Sequence, residues 1–169
     1  MPKTIFFISW LLLCPWLLGQ SLQEQLKAQY EIVRTASDSN GIQVIKPGTV
    51  LTIQKGGILG VPRDSAFLCG SKFQNGELEP PGRFCTSMLH NERFLAAGEK
   101  VYPLRIDINL KKDSISFHVM ECDACNQVEQ ESSYHGVVIF QFPKGTLATT
   151  SIPQIEDTIS QVLAMEAEQ

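Results

Sequence analysis

The sequence lacks most of the patterns from which a function is usually recognised. Its longest basic cluster is Lys111-Lys112, and its formal net charge is −4, so bulk charge does not favour nucleic acid. No Gly-x-Ser-x-Gly elbow occurs. The glycines Gly56, Gly57 and Gly60 lack the Lys-Ser/Thr pair of a phosphate-binding loop. We therefore predict no catalytic residue, no cofactor and no nucleic-acid partner.

The first twenty residues are predicted to be a secretory signal peptide. Lys3 precedes an apolar run from Ile5 to Leu18, and Gly19-Gln20 stands before a polar continuation. Pro15 interrupts a run already shorter than the roughly 20 residues of a membrane-spanning helix. We expect residues 21–169 to form one exported domain, periplasmic or extracellular, with no transmembrane segment after signal removal.

The exported part is predicted to begin with a helix followed by a hairpin. Ser21 and Glu24 have the spacing of a capping box, and an amphipathic pattern continues through Val33 to a turn at 37–41. Ile42–Ile45 and Thr49–Lys55 have strand-like composition and are separated by Lys46-Pro47-Gly48. Because proline and glycine suit a tight reversal, we predict that these two strands pair.

The middle of the chain, from Gly56 to Ala97, is predicted to be largely irregular. Short strands are expected at Ala66–Cys69 and Lys72–Phe73, and Asn75-Gly76 is the one strong turn signal. The remainder is interpreted as a long loop, with the Gly56 region as a bend between strands.

The clearest strand pattern follows residue 98. Leu104–Leu110 and Ile115–Met120 alternate apolar and polar residues on either side of Lys111-Lys112-Asp113, which predicts an antiparallel hairpin. Val137–Phe142 is apolar on both faces, so it should be the most buried strand, with a helix over its second face.

The chain is predicted to end with an amphipathic helix that supplies this cover. Pro153 follows Ser151 as in a first helical turn, and four apolar residues share one face: Ile155, Ile159, Val162 and Leu163. The fold class is therefore predicted as α+β, a small bent antiparallel β-sheet or partly open barrel flanked by N-terminal and C-terminal amphipathic helices.

Several strand phrases give the chain a resemblance to other sequences. They are Gly48-Thr49-Val50-Leu51-Thr52-Ile53-Gln54-Lys55, then Gly98-Glu99-Lys100-Val101-Tyr102 with Ile106-Asp107-Ile108, and Tyr134-His135-Gly136 with Phe140-Gln141-Phe142-Pro143-Lys144-Gly145. In these the chain resembles a group of small, uncharacterised secreted bacterial proteins. The resemblance implies a bacterial exported protein and no particular activity, and the chain departs from that group in its cysteines.

Four cysteines remain after the predicted signal peptide: Cys69, Cys85, Cys122 and Cys125. An even number in an exported chain favours disulfides, and four cysteines allow three complete pairings. We favour Cys69 with Cys85, which would staple the irregular middle, and Cys122 with Cys125. A pairing of the middle loop with the Cys122 region stays open.

The same cysteines suggest two other uses. Cys122 and Cys125 have the spacing of a redox dithiol, although the flanking Glu121 and Asp123 would raise a thiol pKa and oppose attack. A zinc site is the other hypothesis, in which Cys122 and Cys125 bind the metal with one of Cys69 and Cys85 and with one of two histidines, His118 or His135.

Two function classes follow from the sequence. The favoured one is an exported, non-enzymatic domain with a binding or structural role in the bacterial envelope or outside the cell, with a possible protein partner in the envelope. The alternative is a thiol redox or zinc-binding protein that uses Cys122 and Cys125. His90 and the carboxylates Asp107, Glu129 and Glu131 are interpreted as surface groups.

Overall fold

The computed structural model describes residues 21–38, 41–62, 69–87, 89, 91–128 and 134–166. The predicted signal peptide lies outside these residues, as do His90, Glu129, Glu131 and all of the predicted strand Ala66–Cys69 except Cys69. The described part is an α+β domain, as predicted, in which a curled, open half-barrel sheet is flanked by helices. None of its helices is long and apolar enough to cross a membrane.

The described residues contain eleven strands and three α-helices. The strands are β1 (Arg34–Asp38), β2 (Gly41–Lys46), β3 (Leu51–Ile53), β4 (Ile58–Val61), β5 (Gly70–Gln74), β6 (Glu77–Glu79), β7 (Arg93–Leu95), β8 (Lys100–Asn109), β9 (Ser114–Glu121), β10 (His135–Gln141) and β11 (Leu163–Met165). The helices are α1 (Leu22–Gln29), α2 (Arg83–Thr86) and α3 (Ile152–Ser160), and a 3₁₀ turn spans Leu147–Thr149.

The main sheet has the order β11-β3-β8-β9-β10-β4-β7. Strand β10 lies at its centre, since it pairs with β9 along its whole length and with β4 and β5 on its other edge. Val138 and Phe140 are fully buried, but β4 is buried at every position, so β10 is not the most buried strand as predicted. The β5–β10 pair is parallel, in a sheet whose other strand pairs are antiparallel.

The hairpin of β8 and β9 is the longest pairing, and it confirms the alternation seen in the sequence. Its turn ends at Asp113, whose φ of 49° is tolerated by Asp and Asn better than by most residues. The register shifts between Pro103 and Arg105. A bulge is a favourable place for proline, which has no N–H to donate to a neighbouring strand.

The N-terminal helix forms as predicted but is shorter. Glu24 Oε2 accepts hydrogen bonds from the Ser21 N–H and hydroxyl groups, which completes the capping box. The helix ends at Gln29 instead of continuing through Val33, because the next N–H groups bond outside it: Glu31 donates to Thr49 Oγ1 at 2.8 Å, and Val33 donates to the Pro103 carbonyl at 2.9 Å.

The first predicted hairpin is wrong in its partner. Strand β2 pairs with β1, which precedes it, and these two strands form a separate two-stranded sheet. Strand β3 instead lies between β8 and β11. The Lys46-Pro47-Gly48 segment is not a tight reversal, because Gly48 passes directly over the backbone at Glu31 and Val33.

The middle of the chain contains more strand than predicted. Asn75 and Gly76, with φ of 54° and 83°, form the predicted turn and join β5 to β6. Strands β4 and β7 were not predicted, and each is short. Their pairing places Arg93 at the edge of the main sheet.

The C-terminal helix begins at the predicted capping position, where Gln154 Oε1 accepts hydrogen bonds from the Ser151 N–H and hydroxyl groups. It ends at Ser160, so Val162 and Leu163 are not part of its apolar face as predicted, and Leu163 begins β11. Ile155 and Ile159 pack in the same core as Val138 and Phe140. The helix therefore packs on the side of β10 that carries Val138 and Phe140, and not, as predicted, on the opposite side, which carries Val137 and Ile139.

The main core fills the concave side of the sheet. Both terminal helices contribute to it through Leu26, Tyr30, Ile155 and Ile159. The Tyr30 ring meets Phe117 edge-on with centroids 5.2 Å apart. Burial raises the pKa of Tyr30 to about 12, and complete burial of each such apolar side chain is worth about 2–3 kcal/mol.

Candidate functional site

A charged network lies where β7, the turn before β8 and the end of β9 meet. Arg93 Nη1 donates to both carboxylate oxygens of Glu99, at 2.9 and 3.1 Å, and Nη2 donates to Glu121 Oε1 at 2.6 Å. Glu121 is only 3% exposed. Burial disfavours the charged guanidinium, but its hydrogen bonds to Glu99 and Glu121 outweigh that effect and raise the pKa of Arg93.

The segment before β10 completes the surroundings of this arginine. The Arg93 guanidinium carbon lies 4.9 Å from the centroid of the Tyr134 ring, within the range of a cation–π contact. The Tyr134 carbonyl accepts the Glu121 N–H at 2.8 Å. The aromatic ring and the buried carboxylate therefore hold the guanidinium in one position.

The loop after β9 is tied to the start of β8 by Asn126. Its Oδ1 accepts the Lys100 N–H at 2.8 Å, and its Nδ2 donates to the Lys100 carbonyl at 3.0 Å. The same carbonyl accepts the Cys122 N–H at 2.9 Å. The Lys100 ammonium pairs with Glu166 at 2.7 Å. The loop is thus fixed by the backbone of β8 although it has no regular secondary structure.

These groups surround an open cleft of about 600 Å³. Its lining includes Arg93, Glu121, Cys125 and Asn126. Placing a guanidinium between two carboxylates in a partly buried site has a desolvation cost. Apolar side chains of similar volume would often give the domain the same or greater stability. Such a network at the wall of a cleft is a candidate binding or chemical site.

The two predicted disulfide candidates near the cleft are bonded to each other. Cys122 and Cys125 form a disulfide with Cα atoms 5.2 Å apart. Cys122 is 1% exposed, whereas Cys125 is half-buried and lines the cleft. The Cys125 N–H points at Cys122 Sγ, 3.1 Å away, and the Tyr102 hydroxyl lies 3.6 Å from Cys125 Sγ.

The other disulfide joins Cys69 to Cys85, with Cα atoms 6.1 Å apart. Both cysteine pairs lie at disulfide distance, which is compatible with the pairing that the sequence favoured. Cys69 lies beside the buried Leu59 and Val61 of β4, so the bond attaches the segment around α2 to the main sheet. Closing a loop of this length is worth about 3 kcal/mol in the chain-entropy model, whereas the short Cys122–Cys125 loop gains only about 2 kcal/mol.

The residues proposed for a zinc site are not brought together. His118 lies on the outer face of β9, where its Nε2 is 2.9 Å from Arg105 Nη2 and 3.1 Å from Asp107 Oδ2. Burial, with Arg105 beside it, lowers the pKa of His118. His135 begins β10 opposite Met120. Within the described ranges, no group of three or more His, Cys, Asp or Glu side chains is arranged to hold a metal ion.

Comparison with protein-family models, curated proteins and solved structures found no match for this chain.

Sequence reasoning found the cysteines but missed the charged network. The sequence places Glu121 next to Cys122 but carries no signal that links it to Arg93 or Glu99. Their meeting depends on β7 pairing with β4 at one end of the sheet, while β9 ends nearby. No spacing rule links Arg93 to an acid 28 residues away.

Proposed function

We propose that this chain is an exported, disulfide-bonded domain with a binding or structural role in the bacterial envelope or outside the cell. Two disulfides within one domain support export, because such bonds persist in oxidising compartments. The resemblance of its strand phrases to secreted bacterial proteins supports the same compartment.

The observation that carries a binding role is the Arg93 network at the wall of the cleft. Its charges are fixed by Glu99, Glu121 and Tyr134, so a ligand would meet a preformed polar surface. The ligand we expect is a protein of the envelope that places polar groups against this surface.

Export is tested by producing the whole chain in a bacterial host and purifying it from the periplasm or medium. The measured mass is expected to show cleavage after Gly19 or Gln20, and four cysteines that accept an alkylating agent only after reduction. Both tryptophans, Trp10 and Trp16, lie in the predicted signal peptide, so the processed protein should show no tryptophan fluorescence. An unprocessed cytoplasmic product with five free thiols, Cys14 included, would contradict the proposal.

Binding is tested with an immobilised variant that carries Arg93→Met and Glu121→Gln. It removes the guanidinium together with its buried partner, so that only the more exposed Glu99 loses its ion pair. An envelope protein that the wild type retains is expected to be lost by this variant and kept by Arg34→Met, a control at an exposed arginine on β1. Equal retention by all three proteins would show that the cleft is not the binding site.

A further inference from the structure

The two sulfurs of the Cys122–Cys125 disulfide differ in accessibility. Cys122 packs against Val33, Tyr102 and Met120 and is 1% exposed. Cys125 is half-buried and contributes to the lining of the 600 Å³ cleft. A thiolate that enters the cleft therefore reaches Cys125 first, and the disulfide would be attacked at that sulfur.

The buried sulfur has a group that can stabilise the charge released by such an attack. The loop after β9 contains a turn in which the Asn126 N–H donates to the Cys122 carbonyl at 2.9 Å. In the same turn the Cys125 N–H lies 3.1 Å from Cys122 Sγ. A backbone N–H aimed at sulfur stabilises a thiolate and so makes Cys122 a better leaving group.

The acid that precedes Cys122 does not oppose this chemistry as the sequence suggested. The Glu121 carboxylate accepts a hydrogen bond from Arg93 at 2.6 Å, so its charge is offset in part by a guanidinium that it shares with Glu99. The remaining acid in the motif, Asp123, is half-buried on the loop. The hydroxyl of the buried Tyr102 lies 3.6 Å from Cys125 Sγ, where it can donate to that sulfur when it gains charge.

We propose that the Cys122–Cys125 disulfide is redox-active and oxidises dithiols that enter the cleft, with Cys125 as the sulfur attacked and Cys122 as the leaving group. This activity goes beyond the binding or structural role proposed above and does not depend on it. The substrate class is a peptide or protein segment with two neighbouring thiols.

The exchange has two steps. A substrate thiolate attacks Cys125 Sγ, so that a mixed disulfide forms, the Cys122–Cys125 bond breaks, and the electron pair leaves on Cys122 Sγ. The second substrate thiolate then attacks the substrate sulfur of the mixed disulfide and releases Cys125. The two protons lost by the substrate end on Cys122 and Cys125, so the substrate leaves as a disulfide and the protein as a dithiol.

The first test measures reduction of the folded, processed protein by dithiothreitol, with alkylation and peptide mass analysis at successive times. The Cys122–Cys125 bond is expected to open at least about tenfold faster than Cys69–Cys85, while the near-ultraviolet circular dichroism stays native. Opening of both bonds together, at the rate at which the domain unfolds, would overturn the proposal.

The second test identifies the attacked sulfur. Cys122→Ser leaves Cys125 as the free thiol, and Cys125→Ser leaves Cys122. In the native state the first variant is expected to react with an aromatic disulfide reagent at least about tenfold faster than the second. Equal rates, or a faster reaction of Cys122, would contradict the assignment of Cys125.

The third test uses a reduced peptide with two cysteines as substrate. One equivalent of the oxidised protein is expected to convert about one equivalent of peptide to its disulfide. The variant with Cys69→Ser and Cys85→Ser should retain this activity, and the variant with Cys122→Ser and Cys125→Ser should lose it. A peptide that stays reduced in the presence of the wild-type protein would overturn the proposal.

Discussion

Asp113 ties the β8–β9 turn to the segment that follows β10. Its carboxylate accepts the Gly145 N–H at 2.8 Å and the Leu147 N–H at 3.1 Å, and its carbonyl accepts the Phe142 N–H at 2.8 Å. The hydrogen bonds from Gly145 and then Leu147 lower the pKa of Asp113. One residue thus fixes the path between β10 and the 3₁₀ turn.

The Asp113 carboxylate is predicted to stabilise the folded domain only at pH values at which it is ionised. Because the folded pKa lies below the ordinary value of 3.8, the contribution is fully present above that value and disappears as the pH falls through the folded pKa. Asp113→Asn keeps a residue that tolerates positive φ. It is expected to lower Tm by several degrees at neutral pH, and the difference from wild type should close in acid.

The measurement is thermal unfolding, followed by circular dichroism, at a series of pH values from neutral pH to below the ordinary Asp pKa of 3.8. Asp157→Asn, at an exposed position on α3, is the matched control and should leave Tm unchanged. A Tm difference for Asp113→Asn that is equally large in acid would show that the carboxylate charge is not what stabilises the turn.

At the scale of elements, the sequence predicted what local patterns determine. The alternation in β8 and β9, the Asn75-Gly76 turn and both helix starts depend on neighbouring residues, and all were found. The end of α1 depends on Thr49 and Pro103, which are distant in sequence. The amphipathic pattern continues through Val33, but the helix ends at Gln29 because the Glu31 and Val33 N–H groups form these tertiary hydrogen bonds.

The candidate site divides in the same way. The Cys122–Cys125 pair could be found because its spacing is local. The Arg93 network joins three segments through side-chain contacts that span the sheet, and β7 is too short to give a strand signal. Which cysteine is buried also depended on the packing of Cys122 against Val33 and Met120.

Gly48 lies where the segment after β2 crosses the backbone at Glu31 and Val33. The sequence wrongly predicts a tight reversal here, and the crossing itself can be tested by substitution. A Cβ at this position would clash with the Glu31 carbonyl and lie 2.6 Å from the Val33 nitrogen, both of which are backbone atoms. Since neither can move as a side chain would, Gly48→Ala is expected to reduce the free energy of unfolding by about 3 kcal/mol.

Urea denaturation of Gly48→Ala and Gly82→Ala provides the comparison. Gly82 has a φ of −60°, and a Cβ there meets nothing within 4 Å, so its substitution should change stability by less than about 1 kcal/mol. Equal stability of the two variants would show that the chain segments do not cross closely at Gly48.

For the whole molecule, the two sheets have different roles. The main sheet and both terminal helices share one core, whereas β1 and β2 chiefly contact each other. Val44 and Ile45 of β2 are 43% and 68% exposed. A lone two-stranded hairpin is marginally stable, so we expect it to contribute little to the stability of the domain.

Removal of this hairpin is therefore predicted to leave the rest of the domain folded. Arg34 and Lys46 are paired across its base, so an Asn-Gly turn can replace residues 35–45 and join them directly. We expect a cooperative thermal transition with Tm lowered by less than about 5 °C, because none of the replaced residues whose side chains the structure describes belongs to the main core. Truncation after Ser160 is the contrasting variant: it removes Val162 and Leu163, both 0% exposed, together with the β11 edge of the sheet. It should abolish cooperative unfolding, and a hairpin deletion that did the same would show that the small sheet is part of the core structure.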